Sequence, residues 1–344
     1  MSSENRISPD VVIHPDCRIV NSSIGPGCEI GAEGSVVIEN CQLGRNVKLK
    51  DGYFSGAVFL DGANMGSGAH VRAGTILEEE ANGAHTVGLK QTVLLPFVTL
   101  GSLINFCDVL MAGGTSRKDH SEVGSSYIHF NFTPNQDKAT ASLVGDVPRG
   151  VLLNQKPIFF GGQGGLVGPA RIAFGSVIAA GGVCRKDLLE AGQLHVPATP
   201  VEKTIPFEPG RYGNVDRILK NNLIYIGNIK ALKAWYQNVR VLFIRDEFDQ
   251  AVFDGALANL DLILNERFQR LEKFIEKAGS PFQGLEKARG ADIPVCPDFI
   301  TEMDRTDYLS AIQNLSESAR AGATAWLQSI VDETEGFLEK SATS

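Results

Sequence analysis

Aliphatic residues return at every sixth position through much of the first part of this chain, and few folds tolerate that period. Ile24, Ile30 and Val36 form one series, which Leu43 and Leu49 continue after one extra residue. Phe59, Met65, Val71 and Leu77 form another, and Leu166, Ile172 and Ile178 a last one. Neither the helical period of 3.6 nor the strand period of 2 sustains such a repeat. A three-sided coil does. Each hexapeptide supplies a short strand and a corner, and the aliphatic side chain points inward. Glycine or another small residue takes the corner, where some positions need φ > 0. Successive coils then pair as parallel strands and bury a continuous core. A β-sandwich with glycine-rich turns is the alternative, and nothing in a sandwich calls for a period of six. The expected fold class is mainly β: a left-handed parallel β-helix of hexapeptide repeats, followed by an α-helical domain.

Glycine marks the division. Of 37 glycines, 28 precede residue 205 and 9 follow it, and the proline-rich stretch from Val196 to Pro209 reads as a linker. The expected domains are 1–204 and 205–344. Within the first, the repeat breaks between about Leu100 and Leu166, so loop insertions are expected at about 113–138 and 145–165. After residue 210 the period turns helical. One helix is expected from Val215 toward Arg240, and a second over Glu247 to Lys277, stopped by Gly279-Ser280-Pro281. A third is expected from Thr306-Asp307 through Ile330. Because an exposed last coil leaves unpaired strand edges, the helices are expected to cap the prism's open end or to serve oligomer contacts. Lining a ligand site is the lesser expectation.

The chain's 32 Lys and Arg against 40 Asp and Glu give a net charge of −8, which argues against nucleic acid or an anionic membrane as the main partner. No apolar run approaches the ~18 residues of a membrane span, and the polar start Met1-Ser2-Ser3-Glu4-Asn5-Arg6 lacks a signal-peptide core. Six scattered cysteines with no C-x-x-C pair point away from disulfides and a zinc site. No metal is expected, and the cytoplasm is the expected compartment.

Residues 60–187 carry motifs that resemble a known family. Val71-Arg72-Ala73-Gly74-Thr75, Val87-Gly88-Leu89-Lys90-Gln91-Thr92, the segment Ser126 to Phe132 followed by Lys138, and Ile178-Ala179-Ala180-Gly181 are the segments concerned. They are similar to the acetyltransferase half of the bacterial bifunctional UDP-N-acetylglucosamine pyrophosphorylase/glucosamine-1-phosphate acetyltransferases, within the hexapeptide-repeat acyltransferases. That resemblance implies that Arg72, Lys90, Asn131 and Lys138 belong to the acceptor-sugar site. It implies that Ala179 and Ala180 border acetyl-CoA and that the protein is a homotrimer; Arg185 is a candidate cation for the cofactor's phosphates.

Two departures stand out. The family's catalytic histidine position holds Ser102 here, in Gly101-Ser102-Leu103-Ile104-Asn105. A serine hydroxyl takes no proton near pH 7 without a base of its own. His129, in Tyr127-Ile128-His129-Phe130-Asn131-Phe132, is the expected replacement, since its ordinary pKa of ~6.5 leaves it largely neutral. His14, His70, His85 and His195 read as structural or solvent-exposed. The pyrophosphorylase half has no counterpart. Leu110-Met111-Ala112-Gly113-Gly114-Thr115-Ser116-Arg117 has only a superficial likeness to a nucleotidyltransferase phosphate loop, because it lies inside a solenoid rather than after a Rossmann strand.

The leading functional expectation is acyl transfer from acyl-CoA to an amino group of a phosphorylated or nucleotide-linked sugar, in cell-envelope precursor metabolism. Two alternatives are a diverged nucleotide-sugar or sugar-phosphate binding protein without the base, and a sugar-phosphate nucleotidyltransferase.

Overall fold

The computed structural model describes residues 4–199, 201–299 and 303–340. It is a parallel β-helix of stacked three-strand coils, as the sixfold period predicts, with helices packed beside it. One face is a ten-stranded parallel sheet running from Val12–Ile13 to Leu194–His195, here the second face. The first and third faces merge into one sheet, because the strands Gly88–Leu94 and Asn105–Met111 continue around the corner between them. Each face stacks one inward side chain per coil. On the first face, Ile24, Leu43, Phe59, Leu77, Leu94 and Met111 form such a column. All six are fully buried, as are Ile30, Val36, Leu49, Met65, Val71, Leu166 and Ile178 from the sequence series.

Not all corners belong to glycine. Gly52 (φ 131°) meets the expectation, since an added Cβ would lie 2.1 Å from the Ala69 carbonyl oxygen. Yet Asn21, Asn40, Asn46, Gln91, Leu103 and Asp108 also adopt φ between 47° and 62°. Asparagine and aspartate tolerate this region through local hydrogen bonds, and Asn21 Nδ2 donates to Asn40 Oδ1 one coil away at 2.6 Å. Leucine has no such compensation, and the coil imposes the conformation on Leu103.

The repeat is not interrupted where the sequence suggested. Glu122–Val123, Tyr127–Phe130, Ser142–Val144 and Phe159–Phe160 stay in register with the coils on either side. The extra residues leave at corners instead. Gly114–Ser116 and Asp119–His120 form a short antiparallel hairpin, 131–141 forms a loop, and helix α1 (Val147–Gly150) opens the stretch to residue 158. Large side chains and polar corners hid the period there, while the inward positions kept it.

Two of the expected helices form with nearly the expected bounds: α2 (Val215–Asn238) and α3 (Glu247–Ala278). Asn214 and Asp246 cap their starts through side-chain oxygens, and Gly279 (φ 59°) ends α3. A short α4 (Leu285–Gly290) intervenes. The third expected helix is split into α5 (Tyr308–Gln313) and α6 (Glu317–Lys340). Ser316 Oγ accepts from the Ala319 N–H, a fresh N-cap that restarts the helix.

The helices do not close the end of the prism. They lie along its first face, from the first coils to the last. The Arg6 guanidinium pairs with Glu247, Arg45 with Asp246, Arg267 with Asp108 and Arg217 with Asp187. Meanwhile Val12 and Ile13 at one end and Leu194 at the other stay exposed. The sequence of the first face accounts for this placement. Ala57–Phe59, Thr75–Leu77 and Val109–Met111 are buried at every position, whereas strands of the second face alternate. A face that is apolar on both sides needs a cover, and the apolar sides of α2 and α3 provide it.

Candidate functional site

The third face ends in an outward-pointing row. Arg72 follows the paired Val71 and Leu89, and Lys90 pairs directly with Cys107 in the next coil. Arg72, Lys90 and Lys138 therefore gather around one thiol. Burial pushes the Cys107 thiol up and the neighbouring Asp108 adds to this, while all three cations pull it the other way. An Arg72 guanidinium nitrogen lies 3.9 Å from Cys107 Sγ. Among the described residues, no carboxylate sits within ion-pair distance of Arg72, Lys90 or Lys138, although most other cations of this acidic chain have such a partner. Three converging cations with no ion-pair partner favour an anion there, although Glu266, itself held by Arg270, also feels the charge of Lys90.

Buried charge behind this row holds it in place. Asp108 stands at the corner with φ 62° and accepts from Arg267 of α3 at 2.8 Å, with both side chains nearly sealed from water. Asn131 Nδ2 donates to the other oxygen of Asp108 at 3.0 Å, and Arg267 also donates to Gln91 Oε1 at 3.1 Å and to the Lys138 carbonyl at 3.3 Å. The loop carrying Asn131 and Lys138 is pinned by the helices at further points. Asn222 donates to the Ala139 carbonyl, Tyr212 to Asp137 and Lys277 to the Asn135 carbonyl. The helices thus position the expected acceptor loop. Of the four expected acceptor residues, the structure gathers Arg72, Lys90 and Lys138, and places Asn131 beside them with its amide committed to Asp108.

His129 is not on this surface. Its register partner Leu166, and Phe106 in the preceding coil, put it in the inward column of the third face, where it is 3% exposed. Nδ1 lies 2.6 Å from the Cys107 carbonyl and Nε2 2.7 Å from Ser142 Oγ, so both ring nitrogens are engaged. Burial pushes its pKa down to about 4 despite the opposing pull of Asp108. A ring inside the prism with both nitrogens bonded does not reach a bound amine. The expectation of His129 as the base is therefore corrected: alternation along Tyr127–Phe130 turns Tyr127 and His129 inward and Ile128 and Phe130 outward.

The corner between the second and third faces, at the other edge of the same face, holds a different pair. Ser102 Oγ lies 2.7 Å from His85 Nδ1, and the two residues are 17 apart in sequence, one coil. Above them the corner continues through Ser125, Gly162 and Ala180. The Ser102 N–H donates to Ser125 Oγ, and Gly161 is so close to the next coil that an added Cβ would lie 2.2 Å from the Ala180 nitrogen. Backbone N–H groups of Ser125, Gly162 and Ala180 have no hydrogen-bond partner among the described residues. Small side chains and open donors make a track that suits an extended amide-bearing chain such as the pantetheine arm of coenzyme A, and Ala179 and Ala180 stand on it. Arg185 does not. It follows Cys184, the register partner of Leu166, and so stands at the opposite edge of the third face.

The Gly113-Gly114-Thr115-Ser116-Arg117 segment is a hairpin base. Arg117 donates to the Glu80 and Phe97 carbonyls and to Thr99 Oγ1, which ties the hairpin to the coils below. Its cation is spent on the fold, and no Rossmann sheet surrounds it. All six cysteines are free, and no group of three or more metal-ligating side chains occurs among the described residues. No described helix is long and apolar enough to cross a membrane. Sequence reading missed two participants. One is His85, which its separation of one coil from Ser102 could have pointed to, and the other is Arg267, which nothing local flags.

No family model matches the chain. It is 30% identical over 200 residues to the bifunctional protein GlmU of Pelobacter propionicus, covering 56% of this chain and 38% of that protein. It is 28% identical over 183 residues to the protein of the same name from Thermotoga maritima, covering 53% and 37% respectively. The chain thus spans well under half the length of these curated relatives. A Francisella novicida UDP-N-acetylglucosamine acyltransferase structure covers 80% of this chain and 91% of its own at 16% identity, with a TM-score of 0.33, too low to bear on fold or function. The sequence relatives and the motifs at Arg72, Lys90 and Asn131 agree: the chain resembles the hexapeptide-repeat acyltransferases, and within them the acetyltransferase domain of GlmU.

Proposed function

We propose that this protein moves an acyl group from acyl-CoA to an amino group on a phosphorylated or nucleotide-linked sugar. The observation that carries the reading is the convergence of Arg72, Lys90 and Lys138, unpaired, on one edge of the face whose other edge is the open corner at Ser102. Phosphate of the acceptor binds the three cations, and Asp108 holds Asn131 beside it. The acyl donor lies along the Ser125–Gly162–Ala180 corner, where free N–H groups meet its amides and the thioester oxygen. Binding both along one face brings amine and thioester together, which accounts for much of the rate. A homotrimer, as the resemblance implies, completes the reading, with the site covered by a neighbouring copy.

Incubation of the purified protein with acetyl-CoA and glucosamine 1-phosphate, followed by a free-thiol assay, tests this. Thiol release that depends on the acceptor is expected. No release with any amino-sugar acceptor, together with no coenzyme A binding by calorimetry, removes the reading.

The burial of His129 favours a second reading, in which the same cations hold a sugar phosphate but no chemistry follows. Sugar-phosphate binding without thiol release from any acyl-CoA supports that binder. Acceptor-dependent turnover excludes it.

A further inference from the structure

Both histidines that contact a serine hydroxyl in this structure are informative, and only one of them faces solvent. His129 bonds Ser142 inside the prism; His85 bonds Ser102 at its surface. Ser102 sits where the third face begins, on the strand of backbone that leads through Asn105 to Cys107 beside the cations. Directly above it are Ser125 and the unpaired N–H groups of the corner. A serine hydroxyl alone is a poor proton acceptor, but a hydroxyl 2.7 Å from an imidazole nitrogen has a base attached.

We propose that Ser102 and His85 together accept the proton of the acyl acceptor, with Ser102 touching the amine and His85 acting through it. The inference rests on the acyl-transfer reading above. As the acceptor nitrogen forms its bond to the thioester carbonyl carbon, it gives a proton to Ser102 Oγ. Ser102 passes its own proton to His85 Nδ1. The carbon–sulfur bond breaks, and the leaving thiolate recovers a proton from His85, so that amide and free thiol are the products and the pair returns to its starting state. The step requires the tautomer with Nδ1 unprotonated and Nε2 protonated, which the exposed position of His85 leaves open. The pair replaces one imidazole with a hydroxyl backed by an imidazole from the coil below.

Steady-state kinetics on four proteins, with coenzyme A binding measured alongside, test the pair. His85→Gln keeps a hydrogen-bonding group but cannot take a proton. It is expected to lose about 10²- to 10⁴-fold in kcat with KM for both substrates nearly unchanged. Ser102→Ala should lose a similar factor. The double variant Ser102→His with His85→Ala puts an imidazole directly at the corner and should recover much of the lost kcat. Wild-type kcat in His85→Gln overturns the pair while leaving the acyl-transfer reading standing. A wild type that binds coenzyme A yet releases no thiol with any acceptor overturns the pair together with the acyl-transfer reading and favours the binder. A wild type that neither binds coenzyme A nor turns over removes both.

Discussion

At the scale of single residues, the largest electrostatic commitment near the candidate site is Arg267. Its side chain and that of Asp108 keep 2% and 6% of their surface exposed, so removing one leaves the other charged and dry. Arg267→Met is expected to cost about 3–5 kcal/mol in urea denaturation. Asp108→Asn should cost a similar amount, because it leaves the buried guanidinium charge unpaired and turns an amide NH2 toward one of the two donors, Arg267 or Asn131. Nothing in the local sequence singled out Arg267. It lies in a helix whose pattern reads as amphipathic, and its partner is far away along the chain. The same limit applies to His129, whose neighbours made it look like a loop residue. Only the alternation of the strand shows that it points inward.

The buried His129 also makes a pH prediction. In the folded state it stays neutral down to about 4, because burial penalises its charge. The unfolded chain protonates it below ~6.5. Between these values the unfolded state binds the extra proton, so stability falls as the pH drops, by about 3 kcal/mol, and this loss levels off below the folded-state pKa. His129→Gln removes this component. Urea midpoints measured from pH 7 to 4 should fall more steeply for wild type than for the variant, and parallel curves would show that the ring is charged in the folded protein.

At the scale of elements, the helices and the first face need each other. Asn259 of α3 accepts from the Gly74 N–H and donates to the Gly56 and Thr75 carbonyls, tying the helix to two successive corners. Asn259→Leu leaves these backbone groups without partners and should cost about 1–3 kcal/mol. A fragment ending at residue 204 bares Val58, Ile76, Val93 and Leu110, all fully buried in the whole chain. It is expected to aggregate or bind a hydrophobic dye, whereas a fragment that stays monomeric and cooperatively folded would show that the helices are dispensable. The sequence made the coils and the two long helices legible, since both are periodic. It did not reveal that the helices cover a flank. That follows from strands buried on both sides, a pattern that short strands show only when read coil by coil.

At the scale of the whole molecule, Ile128 and Phe130 on the outward side of the third face, Leu103 at its corner and Phe132 in the loop that follows are each between 41% and 68% exposed, next to the unpaired cations. The proposed homotrimer would give this apolar strip a partner and enclose the anion site. Sedimentation equilibrium should then show a trimer, and Phe130→Glu should dissociate it. A wild-type monomer at micromolar concentration would leave the strip for another partner. The edge with Arg72 and Lys90 was legible from two short motifs, because the coil stacks residues whose separation equals one turn. The opposite edge, with His85 and Ser102, needed the coil's actual length.

A structure determined with coenzyme A and glucosamine 1-phosphate bound goes furthest toward deciding whether this column is an acyltransferase. Phosphate held by Arg72 and Lys90, with the thiol arm running past Ser125 and Gly162 toward Ser102, is the outcome expected. Both ligands lodged elsewhere, or an acceptor whose amine lies beyond reach of Ser102, would contradict it.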